Sequence, residues 1–445
     1  MITWITIVQL LLSLSLLVIL HECGHFFPAK WFKTRVEKFY LFFDPYFSLF
    51  KKKIGDTEYG IGWLPLGGYV KISGMVDESF DTAQLDKEPQ PWEFRSKPAW
   101  QRLIIMLGGV TVNFILGFFI FACLLWKNGT EYIPTSELKY GITTDSISQL
   151  LGFKDGDLIV GIQGEKLDRF ERGKIIKALV LDNKNTINLI RDGQNYDLTI
   201  DADKISLLTK PEFKNMDVFG IRTPSIVNSV LENSVAAKAG VQAGDQIISI
   251  NEVNYNFLDQ IIPIIKNKPN QNFNIGILRG KDSLHINIKT DDKAILGLSW
   301  KPINEFIKTE TQTYSFLESL PKGVTMGIDL LTNQIKAFGQ MFKGKIKAKD
   351  SLGGFASIAG MFNEGWNWLS FWRTTAIISI ILGFMNLLPI PALDGGYVMF
   401  LLFEVVTGKK VSDKFMEKAT MVGFILLLAL LVYANGLDVF RAFSK

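Results

Sequence analysis

Four stretches of this chain carry no charged residue: 1–20, 103–126, 374–393 and 419–437. A helix needs about 20 apolar residues to cross the hydrocarbon core of a bilayer, and a buried core helix is seldom so long and so free of charge. The pattern predicts membrane helices over about 3–27, 101–126, 373–393 and 417–436. The stretch from about 129 to 304 is mixed in polarity and reads as soluble. The first run lacks a basic start and a small-residue cleavage site, so it reads as a retained helix rather than a signal peptide.

Composition sharpens this only slightly. At 445 residues the chain has room for about three ordinary domains. Hydrophobic residues make up 48% and charged residues 21%, which excludes a disordered chain. Two cysteines exclude a disulfide scaffold. A net charge of +4 gives no footprint for nucleic acid. Orientation follows from Lys and Arg near the helix ends. Lys30, Lys33, Arg35, Lys38, Lys51, Lys52, Lys53, Arg95, Lys97 and Arg102 separate the first two helices, and Lys409, Lys410, Lys414 and Lys418 the last two. Both loops are expected to be cytoplasmic, with the large middle region on the other side. The lysines between Lys322 and Lys349 oppose this orientation, in a translocated stretch where the rule is weak.

The middle region repeats itself with an offset of 88 residues. Ser146 matches Ser234, Gly152 matches Gly240, Gly156-Asp157 matches Gly244-Asp245, Ile159 matches Ile247, and Arg191 matches Arg279. Each copy reads as a short helix, a Gly-x-x-x-Gly-Asp-x-Ile turn and an alternating strand. This resembles bacterial-type PDZ domains, twice over, at about 129–205 and 206–305. PDZ domains bind peptides by adding a strand to a sheet edge; the alternative is a pair of β-rich spacers. The expected fold class is multi-domain: a four-helix α-helical membrane domain with a membrane-associated β-hairpin, plus two tandem β-rich PDZ domains. Its first membrane half spans 1–128, an amphipathic juxtamembrane segment 306–372, and the second half 373–445.

Chemistry sits where the first apolar run ends. Of three histidines in the chain, two stand four apart in His21-Glu22-Cys23-Gly24-His25. On a helix, positions i and i+4 share a face, so two imidazoles can hold one Zn2+, with Glu22 beside the open position as general base. A polar group of this kind joined to a membrane helix is costly unless it functions. Cys23 points about 100° away from His21 and reads as a small apolar filler. Zinc wants a third protein ligand. In the orientation above, His21 and Asp394 each lie about 20 residues from the start of a helix running the same way, so they reach similar depth. An isolated acid at a helix end is otherwise an interfacial charge. Pro389 and Pro391 break the helix before Asp394, and Gly395-Gly396 free the backbone after it.

His-Glu-x-x-His in the first membrane helix, with Asn386-x-x-Pro-x-Pro391-x-Leu-Asp394-Gly-Gly late in the chain, resembles the site-2 protease family of intramembrane zinc metalloproteases. Two PDZ-like modules between helices two and three are similar to its bacterial, sigma-E-regulating branch. The likeness runs from residue 1 to about 435. It implies His21, His25 and Asp394 as zinc ligands, Glu22 as catalytic base, and Asn386 and Pro391 as residues holding substrate. It further implies that a β-loop at about 55–75, around Gly67, Gly68 and Tyr69, pairs with extended substrate beside the active site; a plain cytoplasmic hairpin is the alternative. Expected partners are the lipid bilayer and single-span membrane proteins, namely anti-sigma factors after a first cut and remnant signal peptides. Peptides at the PDZ grooves are further expected partners; nucleic acid is not one. The expected place is the bacterial inner membrane, with the modules periplasmic and the active site near the cytoplasmic side. Phe355, in Ser351–Ile358, stands where relatives have the proline of Gly-Pro, which puts that local turn in question. The competing readings are a membrane-tethered PDZ scaffold with a non-catalytic zinc site, which would not need Glu22, and a metal transporter, which would need polar groups through several helices.

Overall fold

The structure is a computed structural model that describes residues 3–75, 88–210, 218–345, 347, 349 and 352–443. The chain divides into two units. One contains Met1–Gly129, Thr313–Phe338 and Ser351–Lys445; the other contains Thr130–Gln312 and Gly339–Asp350.

Six long helices belong to the first unit wholly or in part: α1 (Trp4–Trp31), α2 (Ala99–Asn128), α3 (Phe316–Phe342), α4 (Trp368–Leu387), α5 (Asp394–Thr407) and α6 (Asp413–Phe443). Four of them, α1, α2, α4 and α6, are long and apolar enough to cross a membrane. The four expected helices are therefore present, with different ends. The third stops at Leu387, because Pro389 and Pro391 supply no backbone N–H, and a separate helix, α5, starts at Asp394. The first continues to Trp31 with Pro28 inside it, and the last begins at Asp413.

The central helix of this unit is α2, on which α1, α4 and α5 all pack. Lipid gives no hydrophobic drive between helices, so small residues and hydrogen bonds must join them. A Cβ on Gly24 would stand 2.4 Å from the Gly108 carbonyl oxygen, and one on Gly108 would meet the Gly24 oxygen at 1.9 Å. The two backbones touch there. Thr375 Oγ1 of α4 donates to Ser13 Oγ of α1 at 3.0 Å, and Ser379 Oγ donates to the Asn113 carbonyl of α2 at 2.7 Å. Each such bond is worth about 0.6 kcal/mol in a membrane. Arg102 of α2 pairs with Glu404 of α5, both largely buried.

Strands β1 (Val36–Ile54) and β2 (Thr57–Ile72) form a two-stranded sheet. It is longer than the expected loop at 55–75, because the first strand was not legible in the sequence. Residues 38–41 pair on both sides, with 68–71 and with 58–61, so the two strands fold over into four segments. Phe42 and Tyr46, with φ of 67° and 73°, make one of the bends.

In the second unit the strands at Leu158–Ile162, Thr186–Arg191 and Gln194–Thr199 have counterparts at Gln246–Ile250, Asn272–Arg279 and Asp282–Lys289, in the same sheet order. The residues matched at the 88-residue offset do the same work. Arg191 donates to both Asp157 oxygens (2.8 and 2.7 Å) and to the Gly152 carbonyl; Arg279 donates to both Asp245 oxygens (2.7 and 2.8 Å) and to the Gly240 carbonyl. Each lock ties a glycine turn to the far strand over its own apolar core. Strand Phe219–Ile221 pairs with Ile142–Thr144 and packs in the first core, while Leu298–Trp300 pairs with Val227–Val230. Arg222, just after the strand that packs in the first core, reaches Asp259 at 3.0 Å and the face of Phe257.

Burial pushes the Asp245 carboxyl up, but the hydrogen bonds from Arg279 and the Gln242 N–H outweigh it and hold the group below its ordinary 3.8. A carboxyl depressed in the folded state contributes stability above its unfolded pKa and loses it as pH falls. The second module should therefore lose protection as pH drops through and below 3.8. Asp245→Asn should cost it about 2 kcal/mol at neutral pH and flatten that acid dependence, as read from hydrogen exchange in residues 272–279.

Candidate metal centre

His21 and His25 lie one turn apart on α1, their rings 4.8 Å apart and nearly perpendicular. Asp394 is the first residue of α5. His21 Nε2 and His25 Nε2 are 3.2 Å apart, and each is 3.3 Å from Asp394 Oδ2. The three atoms make a nearly equilateral triangle. A tetrahedral ion with bonds of about 2.0–2.1 Å separates its ligands by about 3.3–3.4 Å, so the triangle has the size zinc requires. Asp394 Oδ2 is buried and accepts no hydrogen bond among the described residues, a costly position for a carboxylate without a cation. Two imidazole nitrogens and one carboxylate oxygen are also the donor set that zinc takes in hydrolytic sites. These residues fit the ion.

The outward ring atoms are held by α2. His25 Nδ1 donates to the Ile105 carbonyl at 2.8 Å, which leaves Nε2 as the free lone pair. The Asn113 amide nitrogen stands 3.1 Å from His21 Nδ1 and so fixes where that ring sits. Between them, Gly109 leaves room for both rings: a Cβ there would lie 2.4 Å from His25 Nε2 and 2.7 Å from His21 Cε1.

Asp394 is delivered by a tightly folded loop. Asn386, in the last turn of α4, has its amide nitrogen 3.4 Å from His21 Nε2. Ala392 is held at φ 84°, which a non-glycine residue adopts only under constraint. A Cβ on Gly395 would meet the Leu387 and Leu388 oxygens at 2.3 Å, and one on Gly396 would meet the Ile390 oxygen at 2.5 Å. Pro391 is pinned from outside, since its carbonyl oxygen would be 1.7 Å from a Cβ on Gly423 of α6.

Glu22 faces the hairpin, with the backbone N–H of Val70 near its carboxylate. Gly68 lies against the same side chain, its Cβ position 3.7 Å from Glu22 Cγ and 2.6 Å from Val18 Cγ1. Gly67 instead sits over Phe43. Tyr69 is committed to the hairpin: it stacks on Tyr40 and Phe43 and donates to Asp44 at 2.8 Å. Cys23 is outside the His21, His25 and Asp394 group. Sequence reasoning missed Ile105, Gly109 and Asn113. A lone asparagine four residues beyond a glycine in an uncharged helix was the available signal.

Gly109→Val should lower zinc affinity at least tenfold, because the added methyls occupy the ring positions. Metal content after dialysis against a graded chelator measures this. Asp394→Ala should have a comparable effect, whereas Gly68→Ala should leave metal content unchanged.

The description for peptidase family M50 matches residues 9–430. The chain is 29% identical over 452 residues to the regulator of sigma E protease of Haemophilus influenzae, covering 97% of this chain and 98% of that protein. It is 26% identical over 454 residues to the regulator of sigma-E protease RseP of Escherichia coli K12, covering 98% and 97%. A Pasteurella multocida protein that carries a zinc metalloprotease name is 29% identical over 454 residues, covering 97% and 98%. A His21–His25–Asp394 group of the size a metal requires, in an apolar helical bundle, and a match over nearly the whole length agree: this chain belongs to peptidase family M50, the site-2 proteases, and is a membrane metalloprotease.

Proposed function

We propose that this protein cleaves single-span membrane proteins within or beside the membrane, with His21, His25 and Asp394 as zinc ligands and Glu22 as general base. The observation that carries the reading is the His21–His25–Asp394 triangle, with Glu22 on the adjoining face of α1. Zinc bound by these groups supplies Lewis-acid activation of water and of the scissile carbonyl. The Glu22 carboxylate takes the proton of the attacking water and returns it to the leaving amide nitrogen. Asn386 and Pro391 orient the substrate strand at the mouth of the site.

A transmembrane helix hides its carbonyls in its own hydrogen bonds, so the substrate must unwind before attack. The 68–72 segment suits an unwound strand: it pairs with 36–41 along one side only among the described residues, and Gly68 brings it against Glu22. Extended substrate adds to that edge. The β-rich modules are read as a PDZ pair, supported by the doubled Asp–Arg lock and by sheets of the same order. In this role they exclude substrates with bulky outer domains and capture exposed peptide ends.

The proposed setting is the bacterial inner membrane, with the modules periplasmic and the metal centre toward the cytoplasm. The basic residues between α1 and α2 and between α5 and α6 support that sidedness. Anti-sigma factors after a first cut, and remnant signal peptides, are the proposed substrates, in envelope stress signalling. Relatives named for sigma-E regulation support this choice.

Glu22→Gln should reduce cleavage of a single-span reporter by roughly 10²–10⁴-fold, while zinc content stays at the wild-type level. Cleavage at the normal rate would remove Glu22 from the chemistry.

A further inference from the structure

A cleft of about 420 Å³ opens where α1 ends, lined by Lys30, Lys33, Thr34, Arg35, Asp56 and Trp92. Three cations face one acid. Lys30 Nζ is held by Thr57 Oγ1 at 2.9 Å. The Arg35 guanidinium meets Asp56 only at 4.0 Å, with both side chains well exposed, so most of its donors remain for a ligand. Lys33 stands in the left-handed region, φ 55°, just past the helix end.

The second, independent observation is Thr34. The residue is 2% exposed, and its hydroxyl has no hydrogen-bond partner among the described residues. A buried hydroxyl without a partner costs free energy, and Thr34 is one of the residues that line the cationic cleft. A hydroxyl, a guanidinium fork and two ammonium groups are the donors that gather around a phosphate.

The surroundings select among phosphates. Trp31 at the end of α1 is 79% exposed, Phe27 64% and Trp100 53%, and Trp92 lines the cleft itself. Exposed tryptophans beside lysines and arginines mark the headgroup level of a bilayer. We propose that this cleft binds the phosphate of an anionic phospholipid headgroup. Arg35 and Lys33 grip the phosphate oxygens, Thr34 donates its free hydroxyl, and the acyl chains lie along the apolar, outward side of α1. The site lies at the root of the hairpin: Arg35 N–H donates to the Trp92 carbonyl, and Arg35's own carbonyl accepts the Ser73 N–H just beyond β2. The bound lipid therefore steadies the hairpin at the level of the membrane surface.

The test uses the purified full chain in detergent, titrated with phosphatidylglycerol or phosphatidylcholine and read by native mass spectrometry. One phosphatidylglycerol should bind at least about tenfold more tightly than phosphatidylcholine. The double variant Lys33→Ala/Arg35→Ala should lose about tenfold in affinity for it. Lys52→Ala/Lys53→Ala removes the same charge from β1, outside the cleft, and should lose none. Thr34→Val breaks no hydrogen bond among the described residues, so its melting temperature should match the wild type while lipid affinity falls about threefold. Equal losses in the two basic double variants would show general surface charge and overturn the proposal, as would unchanged affinity in Thr34→Val. Displacement of the lipid by millimolar inorganic phosphate, with phosphate binding as tightly as the lipid, would assign the cleft to a soluble anion and overturn the lipid reading.

Discussion

The contact between Gly24 of α1 and Gly108–Gly109 of α2 is the constraint on which the metal centre depends. In a bilayer, two helices gain little by hiding apolar side chains from one another. They stay together where their backbones approach closely and polar groups find partners. Here the approach is so close that no side chain fits at Gly24 or Gly108. Residues 105, 109 and 113 recur every four positions and share one face of α2. That face presents a carbonyl to His25, an empty space to both rings and an amide to His21. Crossing point and ligand orientation are therefore one feature. Moving α2 away by the width of a methyl group would release both imidazoles.

Asp394 comes from the opposite end of the chain and is positioned by a different device. Between α4 and α5 the backbone turns sharply, with Ala392 in a strained conformation and two glycines against carbonyl oxygens. Strain of this kind persists only when the surroundings over-determine it. The packing of Gly423 on Pro391 and the pairing of Arg102 with Glu404 supply that constraint, so α5 is fixed at both ends. Zinc bound by both halves would link them, and metal affinity would then form part of this unit's folding free energy.

The meeting of His21, His25 and Asp394 was legible because its motifs are local. Two histidines at helical spacing, a glutamate between them and a distant Pro-x-Pro-x-x-Asp-Gly-Gly are short patterns with few other uses. The repeat was legible because its Asp–Arg locks must recur with their glycine turns. What escaped the sequence depends on distant neighbours. Strand β1 was hidden because Val36–Ile54 mixes aromatic, acidic and basic residues without alternation, and its pairing on two sides bends it at Phe42 and Tyr46. The break between α4 and α5 was visible in the prolines, but the new helix after it was not, since an apolar run reads the same whether it spans or turns back. Ile105 contributes through a carbonyl, and no side-chain pattern reports that.

The turn at Phe355 shows how such a fold absorbs a change of residue. The likeness to the family places a proline there, which would fix φ and offer no N–H. Ser351 lies outside the described residues, but the rest of the segment is held by α6. Asp438 Oδ2 accepts the Gly354 and Ser357 N–H groups, each at 2.9 Å, and Asp438 Oδ1 accepts the Ser357 hydroxyl. Asn435 Oδ1 accepts the Phe355 N–H at 3.1 Å. That last bond exists only because the residue is not proline. Rigidity that a ring would supply within the turn is supplied by two polar side chains on another helix. Most of α6 faces outward, with Leu426, Leu428 and Val432 well exposed, so few apolar contacts fix its depth or rotation. The same hydrogen bonds that shape the turn therefore set where α6 stands and, through Gly423 and Pro391, help set where Asp394 stands.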